Sequence, residues 1–129
     1  MTITAKIAIV DDESHIRALL EQTLEDLEGN FEVMTAANGA EGLQLIQQER
    51  PCIVFLDIMM PRMNGYDVCA AVRANPALAH TVIVMLTAKG QEADRIHGLE
   101  VGADYFVTKP FDPDEILDLA RRIVKERTE

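Results

Sequence analysis

Five short apolar runs, set between longer segments of helical period, constrain this chain more than any other feature. The runs are Ile7–Val10, Phe31–Met34, Ile53–Leu56, Val82–Leu86 and Tyr105–Val107. Three are apolar almost throughout, the pattern of strands covered on both faces of a parallel sheet. The segments between them carry amphipathic stripes: Ile16, Leu19, Leu20, Thr23, Leu24 and Leu27 in the first, Ile116, Leu119, Ala120 and Ile123 in the last. Ser14 reads as the cap of the first helix and Gly29 as its end. Asn38 with Glu41 opens the second helix, Asn64-Gly65 precedes the third, and Asn75-Pro76 stops it. A fourth helix spans Gln91 to Val101. Asp112-Pro113-Asp114-Glu115 opens the fifth with a capping side chain, a proline in the first turn and an acid three residues after the cap. Five strands alternating with five helices predict a doubly wound α/β fold with a parallel sheet.

In such sheets active residues collect at the carboxyl ends of the strands, beside the switch in strand order. Asp11 and Asp12 follow the first strand, Asp57 ends the third, Thr87 ends the fourth, and Lys109 comes two residues after the fifth. The second strand ends in Ala36-Ala37, which offers no chemistry. Two carboxylates about 4 Å apart repel by roughly 4 kcal/mol at an effective dielectric near 20. Three together must hold protons or bind a cation. Oxygen ligands with room for water suit Mg²⁺, which takes one or two carboxylates plus phosphate oxygens. Carboxylate nucleophiles form aspartyl phosphates, and Asp57 is the candidate here. Lys109 and Thr87 would then face the phosphoryl oxygens, because phosphoryl transfer depends on positioning and electrostatics.

Each residue alone has a plainer role. An Asp-Asp pair can open a helix, Thr87 can close a strand, and Lys109-Pro110 can be a loop. Four strand ends carrying complementary chemistry favour a site.

The 129 residues are the size of one domain, expected to fold over about 6–124, with Lys125–Glu129 as a fraying polar end. A net charge of −10 repels phosphate backbones, so direct nucleic-acid binding is not expected. No apolar run approaches the roughly 20 residues that span a bilayer, and Met1–Lys6 lacks the regions of a signal peptide. A cytoplasmic location follows as the expectation. Cys52 and Cys69 read as small hydrophobes. His15, His80 and His97 read as surface or capping residues, none at ligand spacing.

The segments Ile9-Val-Asp-Asp-Glu13, Leu56–Gly65, Met85-Leu-Thr-Ala88 and Gly102–Phe111, in this order and spacing, resemble the receiver domain of two-component response regulators. The resemblance covers about Lys6 to Val124. It implies the flavodoxin-like, CheY-like (βα)5 sheet with strand order 2-1-3-4-5, and residues 1–129 as a single receiver without an output domain. It also implies that Asp57 accepts phosphate from a histidine kinase, a phosphotransfer protein or a small donor such as acetyl phosphate. Mg²⁺ would be held by Asp12, Asp57 and the Met59 backbone carbonyl, with Asp11 acting partly through water. Lys109 would pair with the phosphate. Thr87 would move to hydrogen-bond it, and the aromatic Phe106 would follow, reshaping the face built from the fourth helix, fifth strand and fifth helix. Many receivers have Tyr where Phe106 stands, and Phe cannot donate a hydroxyl hydrogen bond. Met59 and Lys89 flank the acceptor and are expected to tune water access.

Gln91–Gly102 looks like the winged-helix transcription-factor branch, whose receivers dimerise through salt bridges. Arg95 and Glu115 match one such pair, whereas Tyr105 and Leu119 stand where another would have an acid and an arginine. The expectation is a monomer or a phosphorylation-dependent dimer, with the charged dimer weakened and an apolar patch left for another partner. The main alternative is an aspartate-nucleophile phosphatase. Met59, in the position of its general acid, argues against that. A flavodoxin-type FMN carrier would need hydroxyls and glycines where Asp11-Asp12-Glu13 stands.

Overall fold

The apolar runs pair side by side into one five-stranded parallel sheet of order β2-β1-β3-β4-β5. The computed structural model describes residues 5–88 and 92–128. The elements are β1 (Ala5–Val10), α1 (Ser14–Leu24), β2 (Phe31–Ala36), α2 (Gly39–Glu49), β3 (Ile53–Asp57), α3 (Gly65–Arg73), β4 (Val82–Ala88), α4 (Glu92–Glu100), β5 (Tyr105–Lys109) and α5 (Pro113–Thr128). A 3₁₀ turn at Pro76–Leu78 links α3 to β4.

Alternation along the strands divides the core in two. Ile7, Ile9, Phe55, Val84 and Val107 pack with Leu20 and Leu24 of α1 and Ile116 and Ile123 of α5. Ala8, Val10, Val54, Leu56 and Met85 pack with Ile46 of α2 and Val68 and Val72 of α3. Both faces of the central strands are therefore covered, and all of β3 is buried. That is why those runs lack a polar alternate.

The caps at Asn38 and Asn64 form as read. Asn38 Oδ1 accepts from Glu41 N at 2.9 Å, and Asn64 and Asp67 form a reciprocal capping box. Asp112 Oδ1 accepts from Asp114 N at 2.9 Å at the start of α5. Ser14 is not the cap of α1. It is the first helical residue, Glu13 takes the N-cap place in extended conformation, and neither side chain caps. The helix stops at Leu24 rather than at Gly29. The next residues tighten into turns that bury Leu27, and Gly29, at φ +112°, redirects the chain into β2. Thr87 and Lys109 lie inside longer strands than their apolar cores suggest. Gln91 and Lys89 lie outside the described residues, while α5 continues through Lys125 to Thr128.

Candidate functional site

Parallel register brings the predicted chemistry to one edge of the sheet. Val10 is level with Leu56, Asp57 with Leu86, and Ala88 with Lys109. Asp11, one residue past Val10, therefore arrives beside Asp57. Period-two alternation directs Asp57 to the side of Ile53 and Phe55, and Lys109 to the side of Tyr105 and Val107. Lys109 lies on the same side of the sheet as the two acids and reaches both. Its Nζ stands 3.0 Å from Asp11 Oδ2 and 3.2 Å from Asp57 Oδ1. Thr87 follows Ile83 and Met85 and belongs to the opposite side, which it shares with Phe106.

Burial makes these charges consequential. Asp11 is 0% exposed and Asp57 3%, whereas Asp12 opens to solvent. Burial, then the charge of Asp11, pushes the Asp57 carboxyl up to about 7, against the opposing pull of Lys109. Burial lowers the Lys109 amine, but its hydrogen bond to Asp11 and the charges of Asp57 and Asp11 outweigh this and hold it above its ordinary value. The amine is thus a fixed cation between two acids that repel each other.

One lysine does not balance three carboxylates. Asp11, Asp12 and Asp57 each present an oxygen, all within 4.8 Å of one another. Hard oxygen donors with an excess of negative charge and one solvent-facing member fit a divalent cation such as Mg²⁺. Met59, whose carbonyl is the remaining candidate ligand, extends its side chain into solvent at 69% exposure. Its N–H points back to Asp57 Oδ1 at 3.4 Å.

Two contributors were not read from the sequence. Gly65 opens α3 against the backbone of Asp57 and Ile58, where an added Cβ would sit 2.8 Å from Ile58 Cα. The Asn-Gly pair marked a helix start, but this approach exists only in three dimensions. Arg17 donates from Nη1 to the Asp11 carbonyl at 2.7 Å. Its signal was a cation in the first turn of a helix, where the dipole favours acids.

Away from this edge, Phe106 rests half-buried on Gly98, with the Arg95 guanidinium 5.6 Å from its ring centre. Tyr105 and Leu119 are half-buried beside an open groove of about 560 Å³, and Arg122 lies 5.4 Å from the Tyr105 ring centre. Both anticipated patch residues are thus partly covered. Cys69 is buried and Cys52 half-buried, each thiol 3.3 Å from a backbone carbonyl. His15, His80 and His97 are exposed.

A family model of the response regulator receiver domain matches residues 7–121. The chain belongs to this family. The receiver is 50% identical over 123 residues to a probable transcriptional regulator, ycf27, of Guillardia theta, covering 95% of this chain and 46% of that protein. It is 40% identical over 120 residues to the alkaline phosphatase synthesis transcriptional regulatory protein PhoP of Bacillus subtilis, covering 93% and 48%. The receiver thus spans about half the length of the curated relatives it matches. The crystal structure of a putative response regulator from Chloroflexus aurantiacus superposes with a TM-score of 0.86 at 34% identity, over 95% of this chain and 99% of that one. The chemotaxis response regulator CheY4 of Vibrio cholerae gives 0.84 at 36% identity, over 94% and 99%. The family assignment supports a signalling receiver and gives the phosphatase alternative no support. Among the described residues no helix is long and apolar enough to cross a membrane.

Proposed function

We propose that Asp57 of this receiver takes the phosphoryl group, from the phosphohistidine of a sensor kinase or phosphotransfer protein or from a small acyl phosphate. The observation that carries this reading is the Lys109 ammonium, fixed at 3.0 and 3.2 Å between Asp11 and the buried Asp57. A carboxylate attacks phosphorus only when ionised, and burial beside Asp11 opposes ionisation. Lys109 offsets part of that penalty. Asp12, Asp57 and the Met59 carbonyl, with Asp11 through water, would hold Mg²⁺, which supplies the remaining positive charge and draws the donor's oxygens to the site. An Asp57 oxygen forms the new O–P bond as the donor's N–P or O–P bond breaks, and the leaving group departs with the bonding pair. Lys109 then pairs with the phosphoryl oxygens, and Thr87 donates its hydroxyl to another.

The modification replaces the carboxylate's single charge with a phosphoryl group carrying about −1.5 to −2 and further acceptor oxygens, which gives Thr87 a reason to move. Phe106 shares its side of the sheet, so displacement of Thr87 changes the space available to the ring and, through Gly98 and Arg95, the surface of α4. The relatives' names support transcriptional control as the output. A net charge of −10 makes a partner or output segment, rather than the receiver, the element that meets DNA.

Incubation with acetyl phosphate and Mg²⁺, read by intact mass, tests the acceptor. Wild type gains one phosphoryl group and Asp57→Asn gains none. Equal gain, or no gain by wild type, would refute the assignment.

A further inference from the structure

We infer that Arg17 is a positioning residue for the acidic site, fixing the turn that presents Asp11 and Asp12 to a divalent cation. The inference rests on the cation-binding reading above. Val10 is the last residue of β1 paired to both neighbours. Just beyond it the Asp11 N–H still donates to Ala36 O, at 3.2 Å. The Asp11 carbonyl, in contrast, accepts from a side chain: Arg17 Nη1 at 2.7 Å. Asp11 Oδ1 accepts from Glu13 N at 2.9 Å. Glu13 O in turn accepts from Ile16 N and Arg17 N, both at 3.1 Å. The loop is therefore a closed circuit of hydrogen bonds that starts and ends on Asp11, and Arg17 belongs to it through both backbone and side chain.

Two features indicate that this contact serves the site rather than the helix. The entry to α1 has no capping side chain and no acid in its first turn. A cation there works against the helix dipole, so Arg17 gains nothing from the helix itself. A half-buried guanidinium bonded to the carbonyl of a fully buried acid also places fixed positive charge next to the carboxylate cluster. A charge-assisted bond of this length holds the peptide plane, and with it the directions in which Asp11 and Asp12 leave the backbone. Groups that orient metal ligands in this way commonly govern affinity without touching the ion.

The test compares wild type with Arg17→Met, which keeps the aliphatic stem and loses every donor. Mg²⁺ is titrated into ¹⁵N-labelled protein, and the amide shifts of residues 11–13 give its affinity. Urea denaturation in chelator gives stability separately. We expect Arg17→Met to bind Mg²⁺ about tenfold more weakly, the lower end of the loss seen when a metal ligand's partner is removed. Phosphorylation by acetyl phosphate should recover toward wild type as Mg²⁺ is raised, a rescue that general destabilisation would not produce. Unchanged Mg²⁺ affinity in a folded variant overturns the inference and leaves the site reading intact. Wild type that binds no Mg²⁺ overturns both. If Arg17→Met does not fold, Arg17→Leu, which also lacks any donor, carries the same comparison, with the same loss expected and unchanged affinity again decisive against the inference.

Discussion

Replacing Asp57 by Asn should stabilise the metal-free protein above neutral pH, with the gain vanishing in acid. Burial, then the charge of Asp11, raises the folded-state pKa of Asp57 from 3.8 to about 7. The folded chain therefore holds this proton more tightly than the unfolded chain does. Wild-type stability from this group is complete below the unfolded pKa and is lost as pH rises toward the folded value. At about 1.4 kcal/mol per unit over roughly three units, the ceiling is about 4 kcal/mol. Water and dipole relaxation at an open sheet edge reduce it to about 2–3 kcal/mol. Asparagine preserves the volume, removes the charge and leaves Lys109 its 3.0 Å contact with Asp11.

The assay is urea denaturation in chelator at several pH values. For an m-value of about 2 kcal/mol/M, the Asp57→Asn midpoint should lie about 1–1.5 M above wild type near pH 8. The two curves should converge below the unfolded pKa of 3.8, toward about pH 3, where wild-type Asp57 is protonated in both states. Excess Mg²⁺ should narrow the gap at pH 8, because a ligand of the folded state stabilises the protein that binds it better. A difference that does not vary with pH, or a variant less stable than wild type at pH 8, would refute the electrostatic account.

Gly65→Ala should cost about 2–3 kcal/mol by urea denaturation and slow phosphorylation, because its Cβ meets unyielding backbone, 2.8 Å from Ile58 Cα. Gly98→Ala would place a methyl carbon 2.5 Å from Phe106 Cε1. The ring should leave its seat on α4, visible as altered Phe106 resonances before any phosphate is added. Asn64→Ala removes the side-chain acceptor of the α3 capping box, the 3.0 Å bond from Asp67 N, and should cost about 1 kcal/mol without altering phosphoryl uptake. Beryllofluoride-treated protein should sediment without forming a tight dimer through α4, β5 and α5. A tight dimer through that face would count against the role given to Tyr105 and Leu119.

What could be read from the sequence followed the physics that is local. The strands were visible because both faces of β3 and most of β4 are buried, which forbids polar alternates. The ends of those strands were less legible, since Thr87 and Lys109 pair in the sheet while breaking the apolar run. Ser14 looked like a cap because serine often is one. Here the loop is organised instead by Asp11, Glu13 and Arg17, a circuit closed by a residue six positions beyond the acid it holds. Gly65 was legible as a turn but not as a space for the Asp57 backbone. The acids could be grouped from the fold rule, but the distances that make Lys109 their shared partner depend on register.

Register is the reason the apolar residues specify this site as much as the charged ones do. Asp57 shares its side of the sheet with Ile53 and Phe55, and Asp11 shares its side with Ile7 and Ile9. A slip of one residue in β3 would send Asp57 to the opposite side and put the buried Ile58 in its place. It would also expose the apolar faces of Phe55 and Val54 to the wrong helices. The cost of that error falls on the core as overpacking and misfit on both faces, at about 1–3 kcal/mol for each large side chain that no longer fits, and it opposes what the acids would gain by separating. Packing therefore holds Asp11 and Asp57 together against their repulsion, leaving the excess charge to be met by Lys109 and a cation. On the proposed function, the carboxyl that the sheet keeps partly protonated near neutral pH is the one a bound cation would release for attack on phosphorus.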